Sequence, residues 1–168
     1  MKGLQAINLD EIIKQPNLTK QFSFNIDPTE IKELTGYINP SSPIRLDLSI
    51  RFADDIFYVT GELTGVLELE CSRCMETVAY ETNYPIAERY SLKTQKDEDI
   101  IILSKSKLQV EEILRESLEF AMPVKVLCKE SCLGLCPHCG CNLNLSTCQC
   151  LKDQIDPRLA ILKDLLKE

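Results

Sequence analysis

Hydrophobic and polar residues alternate along much of the first half of the chain, and each alternating run predicts a strand. Gln21 to Ile26 places Phe22, Phe24 and Ile26 on one face. Ile44, Leu46, Leu48, Ile50 and Phe52 alternate strictly with Arg45, Asp47, Ser49 and Arg51, the pattern of a strand with one wet face. Asp54-Asp55 breaks the run as a turn. A longer run carries Phe57, Val59, Gly61, Leu63, Gly65, Leu67 and Leu69 in phase to Cys71, and its two glycines predict a bend or bulge. Beyond Cys74 the alternation resumes at Val78, Tyr80, Thr82, Tyr84 and Ile86. The segment Cys71-Ser-Arg-Cys74 is therefore expected at the tip between two antiparallel strands. Residues 93–99 are polar and read as a loop, with a short strand expected over Ile100 to Leu103.

The period then changes. Val110, Ile113, Leu114, Ser117, Leu118 and Ala121 recur at helical spacing, with Glu111, Glu112, Arg115, Glu116 and Glu119 facing out. Ser106 and Gln109 have the spacing of a capping box. Met122-Pro123 ends the helix, because a residue before proline is pushed out of the α region. Residues 124–151 are cysteine-rich and irregular. Asp156-Pro157 then predicts a final helix with the apolar stripe Leu159, Leu162 and Leu166. That helix is too short to stand alone in water, so docking on its own domain is expected. The fold expected is α+β. It comprises an antiparallel β-sheet of about five to seven strands, one long helix, a short C-terminal helix and a cysteine-rich zinc-binding segment. Residues 1–123 form the sheet domain with its helix. Residues 124–168 form the cysteine-rich segment with the C-terminal helix packed on it.

Composition changes this picture in two ways. The formal charge of −7 argues against non-specific nucleic-acid binding, since an acidic chain repels phosphate backbones. It favours a basic partner. No apolar run approaches the ~20 residues that span a bilayer. The N-terminus meets Asp10 and Glu11 without a signal-peptide core, so a cytoplasmic location is expected. Disulfides are rare there, yet the chain has nine cysteines. Metal binding is the leading explanation.

Two pairs have C-x-x-C spacing, Cys71 with Cys74 and Cys136 with Cys139, which turns two thiolates toward one ion at about 2.3 Å. Gly140 follows the second pair and accepts the positive φ that a metal knuckle needs. Cys148 and Cys150 lie within reach of that knuckle. One assignment joins Cys136, Cys139, Cys148 and Cys150 in one site and Cys71, Cys74, Cys128 and Cys132 in another. A competing partition groups Cys128, Cys132, Cys136 and Cys139, leaving Cys71 and Cys74 to meet Cys148 and Cys150. Spacing alone does not decide between them, and the first is preferred. Four sulfurs per ion suit tetrahedral Zn²⁺, with an iron–sulfur cluster as the main rival. Two such sites would take the formal charge from −7 to −11. Cys141 is a spare thiol on this reading, and His138, the sole histidine, is a non-ligand. A full four-cysteine set leaves no open position for a catalytic water, so the ions are expected to be structural and no catalytic residue is assigned. One histidine also leaves little for acid–base work.

These motifs resemble a known family. The hairpin Cys-Ser-Arg-Cys, the helix end AMPVKVLC, the stretch ESCLGLCPHCGCNLN, the closing CQC and IDPRLAILKDL occur in the order of the YceD family of large ribosomal RNA subunit accumulation proteins. The resemblance carries the family's cysteines onto Cys71, Cys74, Cys128, Cys132, Cys136, Cys139, Cys148 and Cys150. Cys141 stands where the family has a small non-cysteine residue. Some members lack the second group, which implies that metal is scaffolding. The resemblance implies a non-catalytic accessory factor in large-subunit biogenesis, supporting accumulation of large-subunit rRNA. The expected partner is a basic ribosomal protein or a pre-ribosomal particle, with no membrane and no small-molecule substrate. The alternatives are a zinc-ribbon module that touches RNA through Lys125, Lys129 and Lys152, and a thiol oxidoreductase.

Overall fold

The computed structural model describes residues 6–150. The chain opens with β1 (Ile7–Asn8), α1 (Asp10–Ile13), β2 (Thr19–Ile26), α2 (Pro28–Thr35) and β3 (Asn39–Pro40). It continues with β4 (Ile44–Ala53), β5 (Ile56–Glu70), β6 (Thr77–Ser91), β7 (Ile100–Ile102), β8 (Lys107–Leu108) and α3 (Val110–Ala121). The main sheet has six strands and runs β2-β4-β5-β6-β7. β3 takes up the edge of β5 at Leu67–Glu68, beyond the stretch that β4 covers. β1 and β8 form a separate antiparallel pair.

The alternating pattern explains the layering. On β4, Ile44, Leu46, Leu48 and Ile50 are buried, while Arg45 and Arg51 are exposed. Phe22, Phe24 and Ile26 of β2 pair with Leu48, Leu46 and Ile44 and join the same core. The outer face carries polar contacts. The Asp47 carboxylate accepts from the Ser23 hydroxyl at 2.5 Å and from Arg45 Nε at 2.6 Å. The Arg51 guanidinium lies 5.0 Å over the Tyr58 ring. α3 closes the inner face, burying all six residues of its predicted stripe against the sheet. Full burial of Val110, Ile113, Leu114 and Leu118 contributes about 1.5–3 kcal/mol each before conformational entropy is subtracted.

Several expectations are corrected. No bulge interrupts β5, whose register with β4 and β6 is continuous. Its glycines instead permit close packing. A Cβ at Gly61 would run into the Asp47 carbonyl, and the Ile44 side chain fills the space beside Gly65. The sheet is not wholly antiparallel, because β7 runs parallel to β6 at the edge. The single long helix is replaced by three short ones among the described residues, the longest being the 12-residue α3. Its length is limited at both ends. Pro123 holds Met122 in an extended conformation, with ψ 126°. At the other end β8 occupies Lys107–Leu108, so the N-cap is Gln109 rather than Ser106, the helix begins at Val110 and no capping box forms. α2 was not anticipated. The predicted helix after Asp156 lies outside the described residues. No described helix is long and apolar enough to cross a membrane.

Candidate metal centres

The two longest strands deliver the first pair of cysteines. Glu70 of β5 pairs with Thr77 of β6, and the six residues between them form the hairpin tip. The Cys71 amide donates to the Glu76 carbonyl at 2.8 Å, and the Met75 amide donates to the Cys71 carbonyl at 2.9 Å. Met75 takes φ 62°, which lets the turn close in so few residues. The chain leaving α3 then runs past this tip. The Ser72 amide donates to the Val126 carbonyl at 2.8 Å, and the Val126 amide donates to the Ser72 hydroxyl at 3.2 Å.

That alignment brings Cys128 and Cys132 over the tip. The Sγ atoms of Cys71, Cys74, Cys128 and Cys132 lie within 4.8 Å of one another. Cys71 is 3.9 Å from Cys132, and Cys74 is 3.5 Å from Cys128, sulfur to sulfur. Four sulfurs at about 2.3 Å from a common tetrahedral centre would stand about 3.8 Å apart, so the donor set fits a zinc-sized ion. The group is sunk in its own small apolar cluster, with Val78, Leu127 and Leu135 packed around it. Amide donors point at the sulfurs. The Cys128 amide donates to Cys71 Sγ at 3.4 Å, and Asn144 Nδ2 donates to Cys132 Sγ at 3.4 Å. Such donors stabilise thiolates. Arg73 fastens the two chain segments, its Nη1 donating to the Cys132 carbonyl at 2.7 Å.

The second group is local. Cys136, Cys139, Cys148 and Cys150 meet the same 4.8 Å criterion. Cys148 Sγ stands 3.4 Å from that of Cys136 and 3.5 Å from that of Cys139. Gly140, at φ 73°, turns the knuckle and donates its amide to the Cys136 carbonyl at 2.9 Å. The His138 amide donates to Cys136 Sγ at 3.4 Å, while its side chain belongs to neither sulfur group. Cys139 is exposed, and Cys148 and Cys150 are half-buried, so this group is far more open than the first.

Without metal, protons are shared unevenly within each group. The Arg73 amide holds the Cys71 thiol down at about 6, assisted by the Cys128 amide. The Glu76 amide lowers Cys74, yet burial and the neighbouring sulfurs push it up to about 12. In the second group the Cys141 amide holds Cys139 down at about 6. The neighbouring Cys148 and Cys139 thiols push Cys150 up to about 12. Against the pull of burial, hydrogen bonds from Asn144 and the Gly134 amide also lower Cys132, and the Cys139 and His138 amides lower Cys136. A divalent cation draws the remaining protons off.

Residues 59–166 match the model of the family described as large ribosomal RNA subunit accumulation protein YceD, and this span contains every cysteine of both groups. The chain belongs to the YceD family. It is 25% identical over 166 residues to the uncharacterized protein YlbN of Bacillus subtilis, covering 94% of each chain. It is 25% identical to an uncharacterized protein of Mycobacterium bovis, across 77% of this chain and 65% of the other. It is 29% identical to an uncharacterized protein of Mycobacterium leprae, across 74% of this chain and 60% of the other. The chain thus spans less than two thirds of these mycobacterial relatives. No solved structure matches it.

All eight cysteines expected as ligands of this YceD-family chain fall in the two groups, partitioned between the hairpin tip with Cys128 and Cys132 and the knuckle with Cys148 and Cys150. Arg73 and Asn144 escaped the sequence reading. Both lie inside cysteine motifs, Arg73 within Cys-Ser-Arg-Cys and Asn144 at the end of ESCLGLCPHCGCNLN.

Proposed function

We propose that this protein is a non-catalytic accessory factor in large ribosomal subunit biogenesis, which supports accumulation of large-subunit rRNA and is held in shape by two structural zinc ions. The observation that carries the reading is the family match, whose span includes both four-sulfur groups. Four thiolates around one ion leave no coordination position for a water, which favours a scaffold over a catalyst. Zn²⁺ would supply the charge that stabilises four thiolates. Cys71, Cys74, Cys128 and Cys132 would hold one ion, and Cys136, Cys139, Cys148 and Cys150 the other. The side chains of Arg73 and Asn144 would position Cys132 in the first. The acidic chain, in turn, suits a basic ribosomal protein as the partner in a cytoplasmic setting.

Depletion of the protein in its host tests the cellular role. Large-subunit rRNA should fall relative to small-subunit rRNA, and an unchanged ratio would refute the assignment. Native mass spectrometry with elemental analysis tests the metal. Two zinc ions per chain are expected, and iron with labile sulfide would overturn the zinc reading. Copurification of a basic ribosomal protein, lost at high salt, is the expected partner result.

A second reading, direct RNA contact, draws on Lys125 and Lys129, which are exposed beside the first group. Lys152, the third candidate, lies outside the described residues. A gel shift with ribosomal RNA at moderate salt separates the two. Insulin reduction by the purified protein would instead favour the thiol oxidoreductase.

A further inference from the structure

The face of the main sheet turned away from α3 stays open, with Arg45, Thr60, Glu62 and Glu81 exposed on it. Across β2, β4 and β5 it holds a concavity of about 370 Å³, whose polar lining is Gln21, Ser23, Arg45, Asp47, Ser49 and Glu62. Asp47 and Glu62 stand directly opposite each other on β4 and β5. Like charges in that position repel. Ser23 and Arg45 already donate to Asp47, so the carboxylate left facing the concavity without a cation is that of Glu62. The strip continues toward the hairpin tip. Glu68 and Glu70 of β5 share the face of Glu62, and Glu81 joins them from β6, opposite Val66. Residues 60–70 and 77–88 contain no lysine or arginine. Among the described residues, none of these glutamates is in an ion pair. The other cations of the face lie at its far end, where Arg51 covers Tyr58 and Arg89 is paired with Asp97 and Asp99. The outer face of α3 differs, because Arg115 interrupts its carboxylates and lies 3.8 Å from Glu111.

We propose that this strip, from the concavity to the hairpin tip, seats an extended arginine-rich segment of a basic protein, an inference that rests on the basic-partner reading above. The concavity has room for the head of one side chain. A guanidinium fork matches carboxylates with two parallel hydrogen bonds and holds its charge at any physiological pH. Seated between Asp47 and Glu62, it relieves a repulsion that the free protein carries. The strip also has the right length. Glu62 to Glu70 covers about 26 Å at ~3.3 Å per residue, the reach of an extended segment of about eight residues. Such a segment turns every second side chain to the sheet, so alternate arginines meet the glutamates of β5. A nucleic-acid backbone is repelled by the same charges.

The test titrates the purified full chain with a synthetic peptide alternating arginine and serine, about eight residues long, and follows backbone amides by NMR. Shifts should fall on residues 45–49, 60–70 and 79–85. Shifts confined to α3 or to 124–150 would overturn the proposal. Two double variants then remove equal charge from different faces, Glu62→Gln with Glu68→Gln on the strip and Glu112→Gln with Glu119→Gln on α3. All four glutamates are exposed, so neither change touches the core. The strip variant should bind the peptide about fivefold more weakly, the scale of losing two exposed ion pairs, and the α3 variant less than about twofold. Equal weakening would show that overall charge alone attracts the peptide, which refutes the strip and spares the basic partner. No peptide binding while a basic ribosomal protein still copurifies sinks the strip alone. If the wild type binds no peptide and copurifies no basic protein, both readings fail. A ribosomal RNA oligonucleotide should leave the strip unperturbed, and shifts there would assign the face to RNA instead.

Discussion

The two sulfur groups have the same donors and different jobs. The first joins a hairpin tip to chain more than fifty residues further on, and its Cys71, Cys74 and Cys132 are buried among apolar side chains. The second closes a loop within 136–150 and exposes Cys139. Burial makes the first group intolerant. Ions and thiols removed from water need partners, and an uncompensated one is expensive. Exposure makes the second forgiving, because water can replace a lost ligand. Chemistry alone therefore does not fix how much a metal site matters to a fold. Its place in the topology does.

The sharpest way to break this comparison is to remove one ligand from each group. Structural zinc in small finger peptides binds with about 10–16 kcal/mol, a sum comparable with the whole stability of a typical domain. Cys132→Ser should lose one ion, release residues 124–150 from the sheet and lower the melting temperature by more than 10 °C, given the ~2–4 °C that 1 kcal/mol typically shifts a domain of this size. Cys136→Ser should lose the other ion and leave the melt of the sheet nearly unchanged. Hydrogen exchange on both variants locates the damage. Equal destabilisation by the two substitutions would end the distinction drawn here.

Acid should separate the groups next. Each sulfur must shed its proton to bind, so protons compete with metal and affinity falls as pH drops. In the metal-free protein Cys71 and Cys139 remain ionised down to about 6, while Cys74 and Cys150 stay protonated up to about 12. Acidification from pH 8 to 5 therefore strengthens the competition in both groups. The open second group should empty at the higher pH, as followed with a zinc-sensitive dye. Release of the buried group first would contradict the exposure argument.

Much of this architecture could be read from the chain. The strands of the first half were legible because their apolar and polar faces contrast at every second residue, as in Ile44 to Ile50. The stripe of α3 was legible for the same reason at helical period. α2 was missed although Asp27-Pro28 opens it and Gly36, at φ 79°, closes it, because its apolar content is slight and only Ile31 is buried. The direction of β7 depends on how the 92–99 loop returns, and no local pattern encodes that. The cysteine motifs pointed to metal binding and favoured one partition, but spacing alone did not decide between the two. What separates the sulfurs into groups is the path of residues 123–128 past the hairpin tip, a tertiary fact carried by Ser72 and Val126.

Smaller changes around the sulfurs should sharpen the contrast. Asn144 spans the first group, donating to Cys132 Sγ at 3.4 Å while its Oδ1 accepts from the Leu133 amide at 2.9 Å. Asn144→Ala removes both contacts and should weaken binding of the first ion by about tenfold, the low end of what losing a hydrogen bond to a metal ligand costs. The second ion should be unaffected in a chelator competition.

The smallest and cleanest comparison uses two glycines of matching backbone. Gly134 has φ 77° and Gly140 has φ 73°, so alanine at either meets the same left-handed penalty of about 1–2 kcal/mol. Their surroundings differ. A Cβ at Gly134 would stand 3.0 Å from the Arg73 carbonyl, which itself accepts from the Leu135 amide at 3.1 Å and ties the cysteine-rich segment to the hairpin tip. A Cβ at Gly140 meets nothing within 4 Å. The backbone term should cancel between the two variants, leaving only the cost of pushing the segment off the tip. Gly134→Ala should therefore melt lower than Gly140→Ala and show faster exchange at Leu135. Matching melts would mean that the Arg73–Leu135 contact can give way freely, and the first site would then owe its rigidity to its sulfurs alone.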